Sequence, residues 1–394
     1  MKRISTAARE HLESVILPFW MALRDDAFGG YYGYMDQDLR LEKKAEKGCI
    51  LNSRILWFFS EAAMVLNRED LRPYADHAYR FLMEHCLDRE NGGIFWSMTY
   101  DGEPLDTTKH TYNQAFAVYA LSAYYRLTGD AAALETAMAL FRLIEEHCTD
   151  EVGYLEAFDA RWRPESNEKL SENGVLADKT MNTLLHVFEG YSGLYQGGKD
   201  PAVGKAMERI LTIYAQKIYD PVLRRQRVFF DKSYNSILDL TSYGHDIESS
   251  WLMDWGCGLL GDEPRSAAIA AINRELGEAV YDAAYSFRSL ANECDRGQVD
   301  ETRIWWVQAE AVVGFVHLWS KLPECTQYRD AAAHTFRFIL DHMADKRPNS
   351  EWFWAVDKYG APIPGKPILE PWKCPYHNGR MCMELIKRDP DILV

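Results

Sequence analysis

Two histidines stand in polar clusters that open long apolar segments. His245 lies in the run Ser-Tyr-Gly-His-Asp-Ile-Glu that begins at residue 242, and His377 lies in Pro-Tyr-His-Asn-Gly-Arg that begins at residue 375. An imidazole near a helix N-terminus tends to stay neutral, because the positive end of the helix dipole disfavours the imidazolium, and a base must be neutral. Two opposed imidazoles would suit removal of a proton α to a carbonyl on one face and its return on the other.

Such a reaction passes through a negatively charged enediolate, so a base partner and a cation are expected nearby. Glu248 follows His245 by three residues. A helix would bring the two to one face, where the carboxylate would orient the ring and raise its basicity. Arg54 stands inside an otherwise apolar helical segment and is the best candidate for binding the oxyanion. The alternative for Arg54 is a buried structural arginine paired with Glu61 or another neighbour.

Other aromatic residues and histidines are sorted by their positions. Trp306 and Trp372 stand beside polar clusters and are predicted to contact a ligand, whereas most aromatic stripes belong to the core. His110 and His186 share the polar helix starts, so a functional role stays open for them. The remaining histidines are predicted to serve packing, surface positions or helix ends: His11, His77, His85, His147, His317, His334 and His342.

No metal site and no cofactor are predicted. His186 and Glu189, like His245 and Glu248, have His-x-x-Glu spacing, whereas carboxylate-bridged metal bundles use Glu-x-x-His. Zinc-type Cys/His spacing and the HExxH motif are absent from the sequence. Glycine-rich phosphate loops and the GxSxG signature are absent too, so neither a nucleotide cofactor nor a serine hydrolase is expected.

The elements that must position these residues repeat along the chain. Polar or aromatic clusters begin at residues 47, 109, 178, 242, 303 and 375, and each opens an apolar run with helical periodicity. Self-similarity at a fixed period indicates a repeat architecture. Each unit holds two helical patterns and a turn followed by alternating aromatics, as in residues 29–34 and 92–96, which predicts a short hairpin. The sequence predicts an all-α (α/α)6 barrel of about twelve helices with short β-hairpins at the rim, and an open solenoid is the alternative.

Composition limits the partners. The chain has 394 residues without a Pro/Gly/Ser-rich linker, which predicts a single domain over residues 1–394. A formal charge of −15 without a basic run argues against nucleic acid or an anionic membrane surface as partner. No membrane span and no secretory signal are expected. The eight cysteines form no CxxC pair, which favours reduced thiols and a cytoplasmic protein.

Six segments resemble the N-acylglucosamine 2-epimerase superfamily, and together they span essentially the whole chain. The segments are GCILNSRILWFFS from residue 48, KHTYNQAFAVYA from 109, SENGVLADKTMN from 171, SYGHDIESSWLMD from 242, TRIWWVQAEAVVG from 302 and PWKCPYHNGRMCME from 371, of which the last three are specific. The resemblance implies an (α/α)6 barrel that needs no cofactor. It also implies an isomerase that inverts C2 of the reducing-end glucose of β-1,4-linked disaccharides, converting cellobiose to glucosyl-mannose and lactose to epilactose.

The resemblance further implies a role for each candidate. His245 and His377 would be the general acid/base residues at C2, acting through a cis-enediolate, with bond rotation between C2 and C3 presenting the second face. Arg54 would hold the C1 or C2 oxygen, Glu248 would support His245, and Glu310 would support the other histidine or bind a hydroxyl. The remaining implied contacts are Tyr112, Asn182 and His186 to the open-chain sugar, Trp306 and Trp372 stacked on the rings, and Trp251 in support.

Several alternatives stay open. Mannobiose 2-epimerases and aldose–ketose isomerases of the same superfamily share the enediolate and differ in where the proton returns. A glycoside hydrolase would need paired carboxylates, for which Glu248 and Glu310 are available. A sugar-binding helical repeat without activity is the third class. The expected partner is a disaccharide, and the chain is expected to be a monomer or a weak homodimer.

Overall fold

Six long helices begin at the polar clusters of the sequence. The computed structural model describes residues 2–170 and 174–394, so residues 171–173, which open one of the quoted segments, lie outside it. The six sequences are apolar on nearly every side, which requires burial all round, and most of their side chains are buried. These inner helices are α3 (Cys49–Leu66), α5 (Thr111–Thr128), α7 (Met181–Gly198), α9 (Tyr243–Leu260), α11 (Trp305–Lys321) and α13 (Tyr376–Arg388).

A second set of helices buries one face only and lies outside the first. The first outer helix runs from α1 (Ile4–His11) through a π-helical turn (Leu12–Ile16) into α2 (Leu17–Ala22). The others are α4 (Arg72–Phe81) between a 3-10 turn (Glu69–Leu71) and a π turn (Leu82–Cys86), α6 (Ala131–His147), α8 (Pro201–Ile213) with a π turn (Tyr214–Ile218), α10 (Glu263–Ala284), and α12 (Thr326–Phe338) with a π turn (Ile339–Met343).

The inner helices form a closed ring. Each packs on the next in chain order from α3 to α11, and α13 packs against both α11 and α3. Outer helices cover them pairwise, with α4 on α3, α6 on α5, α8 on α7, α10 on α9, α12 on α11 and α1 on α13. At the seam, the amide of Lys2 donates to the carbonyl of Val394 at 3.0 Å, and the amide of Val394 returns a bond at 2.9 Å. The predicted (α/α)6 barrel is confirmed, and the open solenoid is wrong.

Short antiparallel strands surround the N-terminal ends of the inner helices. Five of these helices follow a strand that pairs with a hairpin strand further along the chain. The pairs are Lys47–Gly48 with Ser97–Met98, Lys109–His110 with Ala157–Phe158, Lys179–Thr180 with Phe229–Phe230, Leu240–Ser242 with Glu293–Asp295, and Arg303–Ile304 with Ala355–Val356. The other strands are Pro104–Asp106, Tyr219–Asp220, Arg225–Gln226, Tyr285–Ser286, Ser289–Leu290 and Gln298–Asp300. Short rim hairpins are therefore present as predicted, but residues 29–34 and 92–96 lie in isolated bridges, Arg24 with Tyr31 and Leu87 with Ile94, and not in the strands named here.

Many polar residues of the helix openings hold this rim together. Three of the inner helices are each preceded by a buried lysine. Each lysine bonds one carboxylate and one backbone carbonyl, which stabilises its charge in a low-dielectric site. The lysine bonds are Lys47 to Asp25 and Gly29 (both 2.7 Å), Lys109 to Asp88 and Gly92 (both 2.8 Å), and Lys179 to Asp150 and Lys232 (both 2.5 Å). The amide of Gln114 likewise pairs with both backbone groups of Ile94 at 2.8 Å. These residues position the pocket without lining it.

Two expectations from composition meet the structure directly. All eight cysteines are free thiols, six of them buried, and Cys294 and Cys325 are partly exposed. Helix α3 is long and apolar enough to cross a membrane by length and mean hydropathy, although the sequence predicts no such segment. In the structure 89% of that window is buried among other helices, as in the core helix of a globular protein.

Candidate active site

A pocket of about 220 Å³ opens at the N-terminal ends of the inner helices. Polar residues from the openings of several helices meet there because the ring brings equivalent ends of all repeats to one mouth. Eight of the predicted site residues line the pocket: Arg54, Tyr112, Asn182, His186, His245, Trp306, Trp372 and His377. Glu248, Glu310 and Trp251 are buried and are not among its lining residues. Lys169, Leu170, Trp305 and Trp354 line it as well and were not predicted.

His377 is the second residue of α13 and is held through one ring nitrogen. Its Nδ1 lies 2.7 Å from Oε1 of Glu310, and this oxygen also accepts a hydrogen bond from Arg380. Because the oxygen is an acceptor, Nδ1 carries the hydrogen and the lone pair of Nε2 is left free. Burial, followed by the nearby guanidinium groups of Arg380 and Arg54, holds the pKa of His377 well below its usual value. The ring is therefore a neutral base.

His245 is held in a different way. Its Nδ1 lies 2.7 Å from the hydroxyl of Ser242, the residue that precedes α9. Burial lowers the pKa of His245 to about 3, so this ring is also neutral near pH 7. A hydroxyl can donate or accept, whereas an ionised carboxylate only accepts. The two histidines consequently have chemically different partners.

One indole contacts both rings. The ring centroid of Trp306 lies 4.7 Å from that of His245 and 5.3 Å from that of His377. Gly244 permits this approach, since a Cβ at that position would lie 2.4 Å from the Trp306 ring. The two histidines, from helices at distant points of the sequence, thus both line the pocket next to the same indole.

Glu248 does not support His245 as the sequence predicts. Its Oε1 accepts a short hydrogen bond from Arg380 and lies 3.9 Å from Nδ1 of His377. Its Oε2 has no hydrogen-bond partner within residues 2–170 and 174–394. The carboxylate bonds the buried guanidinium of Arg380, and Ser242 takes the position beside Nδ1 of His245.

His186 lies in the second turn of α7, one turn later than predicted. Its Nδ1 contacts Oε2 of Glu189 at 2.8 Å, and this oxygen also accepts from the hydroxyl of Tyr376. The Nε2 of His186 is thereby left free for a ligand, as in His377. Asn182, one turn earlier, has a buried Oδ1 without a partner in the described part of the chain. Both groups offer hydrogen bonds to a polar ligand.

Arg54 is a buried cation without a carboxylate partner among the described residues. Its Nη2 donates to the hydroxyl of Tyr112 at 2.7 Å, and its Nη1 lies 3.8 Å from Sγ of Cys374. Aromatic rings surround the guanidinium, with the Phe116 centroid at 4.1 Å and the Tyr376 centroid at 4.9 Å. The pairing with Glu61 considered from the sequence does not form.

The missing pairing has a simple cause. Glu61 instead accepts a short hydrogen bond from Arg126, a residue of α5. Cation–π contacts stabilise the Arg54 guanidinium only in part, so its charge remains available to a bound anion. The position matches a group that binds a developing oxyanion.

Three further predicted or considered residues have supporting positions. The indole of Trp251 donates to Oε2 of Glu310 at 3.1 Å, so both lie behind the pocket wall. The ring of Trp372 lies 5.9 Å from that of Tyr112 at the mouth. His110 caps α5 and contacts Oδ1 of Asn167 at 3.0 Å, which gives it a structural role.

Sequence reasoning missed the residues that connect these partners. Arg380, Glu189 and Tyr376 form a buried cluster beneath the histidines. Glu189 has a detectable signal, because it stands three residues after a histidine on an inner helix. Arg380 stands one turn after His377 in a quoted motif, but its partners come from other helices and no spacing identifies them.

Three side chains could together bind a metal ion, but two of them already bond the guanidinium of Arg380. One ligand atom each of Glu248, Glu310 and His377 lies within 4.8 Å of the others. The carboxylate oxygens nearest His377 both bond Nη2 of Arg380, at 2.7 Å for Glu310. Because the guanidinium occupies the carboxylates' shared side, this donor set does not fit a divalent ion in the present arrangement.

Comparisons with known proteins find similar sequences and similar folds. The sequence profile of the family described as N-acylglucosamine 2-epimerase (GlcNAc 2-epimerase) matches residues 30–378. Cellobiose 2-epimerase of Eubacterium cellulosolvens is 49% identical over 399 residues, covering 97% of this chain and 98% of that protein. The crystal structure of a sugar epimerase from a ruminal bacterium superposes with a TM-score of 0.97 at 46% identity, covering 99% and 100% of the two chains. Cellobiose 2-epimerase from Bacillus thermoamylovorans gives a TM-score of 0.94 at 42% identity, covering 98% and 99%.

Proposed function

The chain belongs to the N-acylglucosamine 2-epimerase family, a family of carbohydrate epimerases, and we propose that it acts as a cellobiose 2-epimerase. The substrate would be a β-1,4-linked disaccharide, cellobiose and also lactose, with inversion at C2 of its reducing-end glucose. The observation that carries the proposal is the pair of neutral histidines that share one indole, each with Nδ1 engaged. Two proteins named cellobiose 2-epimerase are 49% and 47% identical to this chain over 97% and 98% of its length, which supports the choice of substrate.

The proposed reaction transfers one proton away from C2 and one back. In the open-chain sugar, the Nε2 lone pair of one histidine removes the C2 proton, and the electron pair moves to the C1 oxygen to form a cis-enediolate. Rotation about the C2–C3 bond presents the other face. The second histidine takes up a proton from solvent on Nε2 and delivers it to C2 as the C1 carbonyl re-forms, and the first histidine releases the proton it removed to solvent. The direction of reaction decides which histidine acts first.

Arg54 would stabilise the enediolate oxygen. A cation that is already desolvated and held among aromatic rings needs little reorganisation when negative charge develops. His186 and Asn182 would bind the open-chain hydroxyls and assist ring opening, and Tyr112 would orient Arg54. Trp306 and Trp372 would stack on the sugar rings.

A glycoside hydrolase is less well supported. Such an enzyme needs two carboxyl groups that flank the scissile bond. Glu248 and Glu310 are fully buried and share Arg380. Both stand behind His377 instead of flanking a bond in the pocket.

Incubation of the protein in D2O with cellobiose, lactose, mannobiose, mannose or N-acetylglucosamine tests the function. We expect cellobiose to give both epimers with deuterium at C2, and lactose to behave likewise. The same rate should be seen after treatment with a chelator, because the proposed chemistry uses only protein groups. A ketose product would indicate an aldose–ketose isomerase, preferential turnover of mannobiose would indicate that epimerase, and free glucose from cellobiose would indicate hydrolysis.

Ser242→Ala tests the support of His245. The variant removes the hydroxyl that contacts Nδ1, and we expect exchange at C2 to slow about tenfold, because a net hydrogen bond of ~1 to 1.5 kcal/mol corresponds to about that factor. Ser250→Ala is the matched control, since its hydroxyl bonds the Ile247 carbonyl of the same helix at 2.6 Å. Full activity of Ser242→Ala would mean that packing alone orients His245.

A further inference from the structure

One buried guanidinium bonds three glutamates beneath the pocket. Nη1 of Arg380 donates to Oε1 of Glu189 at 2.5 Å and to the hydroxyl of Tyr376. Nη2 donates to Oε1 of Glu310 at 2.7 Å and, through a shorter bond, to Oε1 of Glu248. The residue is only 2% exposed, so the protein supplies nearly all of the solvation of the guanidinium. Arg380 is therefore fixed by groups from α7, α9, α11 and α13.

Two of these glutamates are also the partners of pocket histidines. Glu310 accepts from Nδ1 of His377, and Glu189 accepts from Nδ1 of His186. His377 and His186 come from helices on different sides of the ring. Arg380 thus stands between the two carboxylates that orient them.

The charges in this cluster do not balance if every glutamate is ionised. Three carboxylates face one guanidinium, and all four residues are buried. Burial and the neighbouring Glu310 raise the pKa of Glu248 well above its usual value. Burial alone would raise the pKa of Glu189, but Arg380 and the hydrogen bond from His186 outweigh it and lower the pKa. The cluster holds fewer negative charges than carboxyl groups, and Arg380 determines where they lie.

We infer that Arg380 is a positioning residue that couples His377 to His186 through Glu310 and Glu189, so that a change of charge on one ring is felt by the other. The inference deepens the proposed function and rests on it for its catalytic meaning. A proton taken up by one histidine would change the tendency of the second histidine to gain or lose a proton. Ring opening and chemistry at C2 would then share one charge network.

The coupling predicts opposite effects from two substitutions. Arg54, Arg380, His186 and Glu189 act on His377 through their charge, Glu248 and Glu310 lie 3.9 and 2.7 Å from its Nδ1, and the ring of Tyr376 lies 4.5 Å away. Arg380 lowers the pKa of His377 and Glu189 raises it. Removal of the guanidinium should therefore raise the pKa of His377, and neutralisation of Glu189 should lower it, although Glu189 does not contact that ring.

The first measurement is the pH profile of C2 exchange with cellobiose. We expect Arg380→Met to move the acidic limb of the profile to higher pH by about one unit, and Glu189→Gln to move it to lower pH. Arg380→Lys keeps the positive charge but loses the planar fork of donors. The acidic limb of its pH profile should therefore lie nearer the wild-type position than that of Arg380→Met. Arg303→Met is the matched control, because Arg303 is also buried and bonds two serine hydroxyls and two backbone carbonyls instead of carboxylates. It should lower stability without moving the limb.

The second measurement needs no substrate. In ¹⁵N spectra of the histidine rings of the unliganded protein, His377 and His186 should both be neutral with hydrogen on Nδ1. Glu189→Gln should change the His377 signals and Arg380→Lys should change those of both rings. These two conservative variants carry the test if Arg380→Met does not fold. Unchanged His377 signals in Glu189→Gln would overturn the coupling, whereas failure of wild-type protein to act on cellobiose would overturn only the proposed function.

Discussion

Replacing His377 or His245 with asparagine is expected to stop net epimerisation of cellobiose. Positioned acid–base groups contribute about 10²- to 10⁴-fold to proton transfer, and inversion needs both a base on one face and an acid on the other. Loss of either ring should therefore reduce epimer formation by at least about 10²-fold. Chromatographic separation of glucose-ended and mannose-ended products over time measures the effect.

The two variants should differ in the exchange that remains. A single base can still remove and return the proton on its own face, so each variant should retain some solvent exchange at C2 of one epimer. The retained epimer should be opposite in the two variants. Wild-type epimerisation in either variant would rule out the pair, and retained exchange of the same epimer in both variants would mean that either histidine can act on the same face of C2.

Arg54→Met is expected to have the second largest effect. The buried guanidinium has aromatic rings around it and no carboxylate partner in the described chain, so its positive charge is free to meet a developing oxyanion. Removal of one preorganised donor of this kind costs about 10²- to 10³-fold in turnover. The loss should appear in kcat more than in KM for cellobiose, because the charge develops only during the reaction.

Two variants separate charge from packing at this position. Arg54→Lys keeps a cation but loses the planar fork, and we expect partial recovery relative to Arg54→Met. Arg126→Met removes a different arginine, the partner of Glu61, and should leave turnover near that of the wild type. Equal kcat in Arg54→Met and the wild type would contradict the assigned role.

The sequence predicts the barrel because the repeated unit carries the information. Each polar cluster marks the start of an inner helix, and the structure begins those helices at Cys49, Thr111, Met181, Tyr243, Trp305 and Tyr376. Closure could not be predicted from periodicity, since an open solenoid repeats in the same way. It depends on packing of α13 against α3, a contact between the two ends of the pattern.

The partner of each histidine was harder to predict. His186 and Glu189 have the same spacing as His245 and Glu248, yet only the first pair forms a hydrogen bond. Helical spacing brings both pairs to one face, but a third group decides whether the side chains meet. Both glutamates bond Arg380 through Oε1. Oε2 of Glu189 also bonds His186, whereas Ser242 contacts Nδ1 of His245 and Oε2 of Glu248 is left without a partner in the described chain.

Helices α13 and α3 pack together although most of the sequence lies between them. Contacts between residues so far apart in the sequence slow folding, because the loop between them must close before the contact can form. They change the final stability less, because the entropy of loop closure grows only with the logarithm of loop length. Before α13 docks, Glu189, Glu248 and Glu310 lack the cation that they share, and burying them would be costly. Docking of this one helix supplies both the counterion and His377. Closure of the ring and completion of the candidate site therefore depend on the same helix.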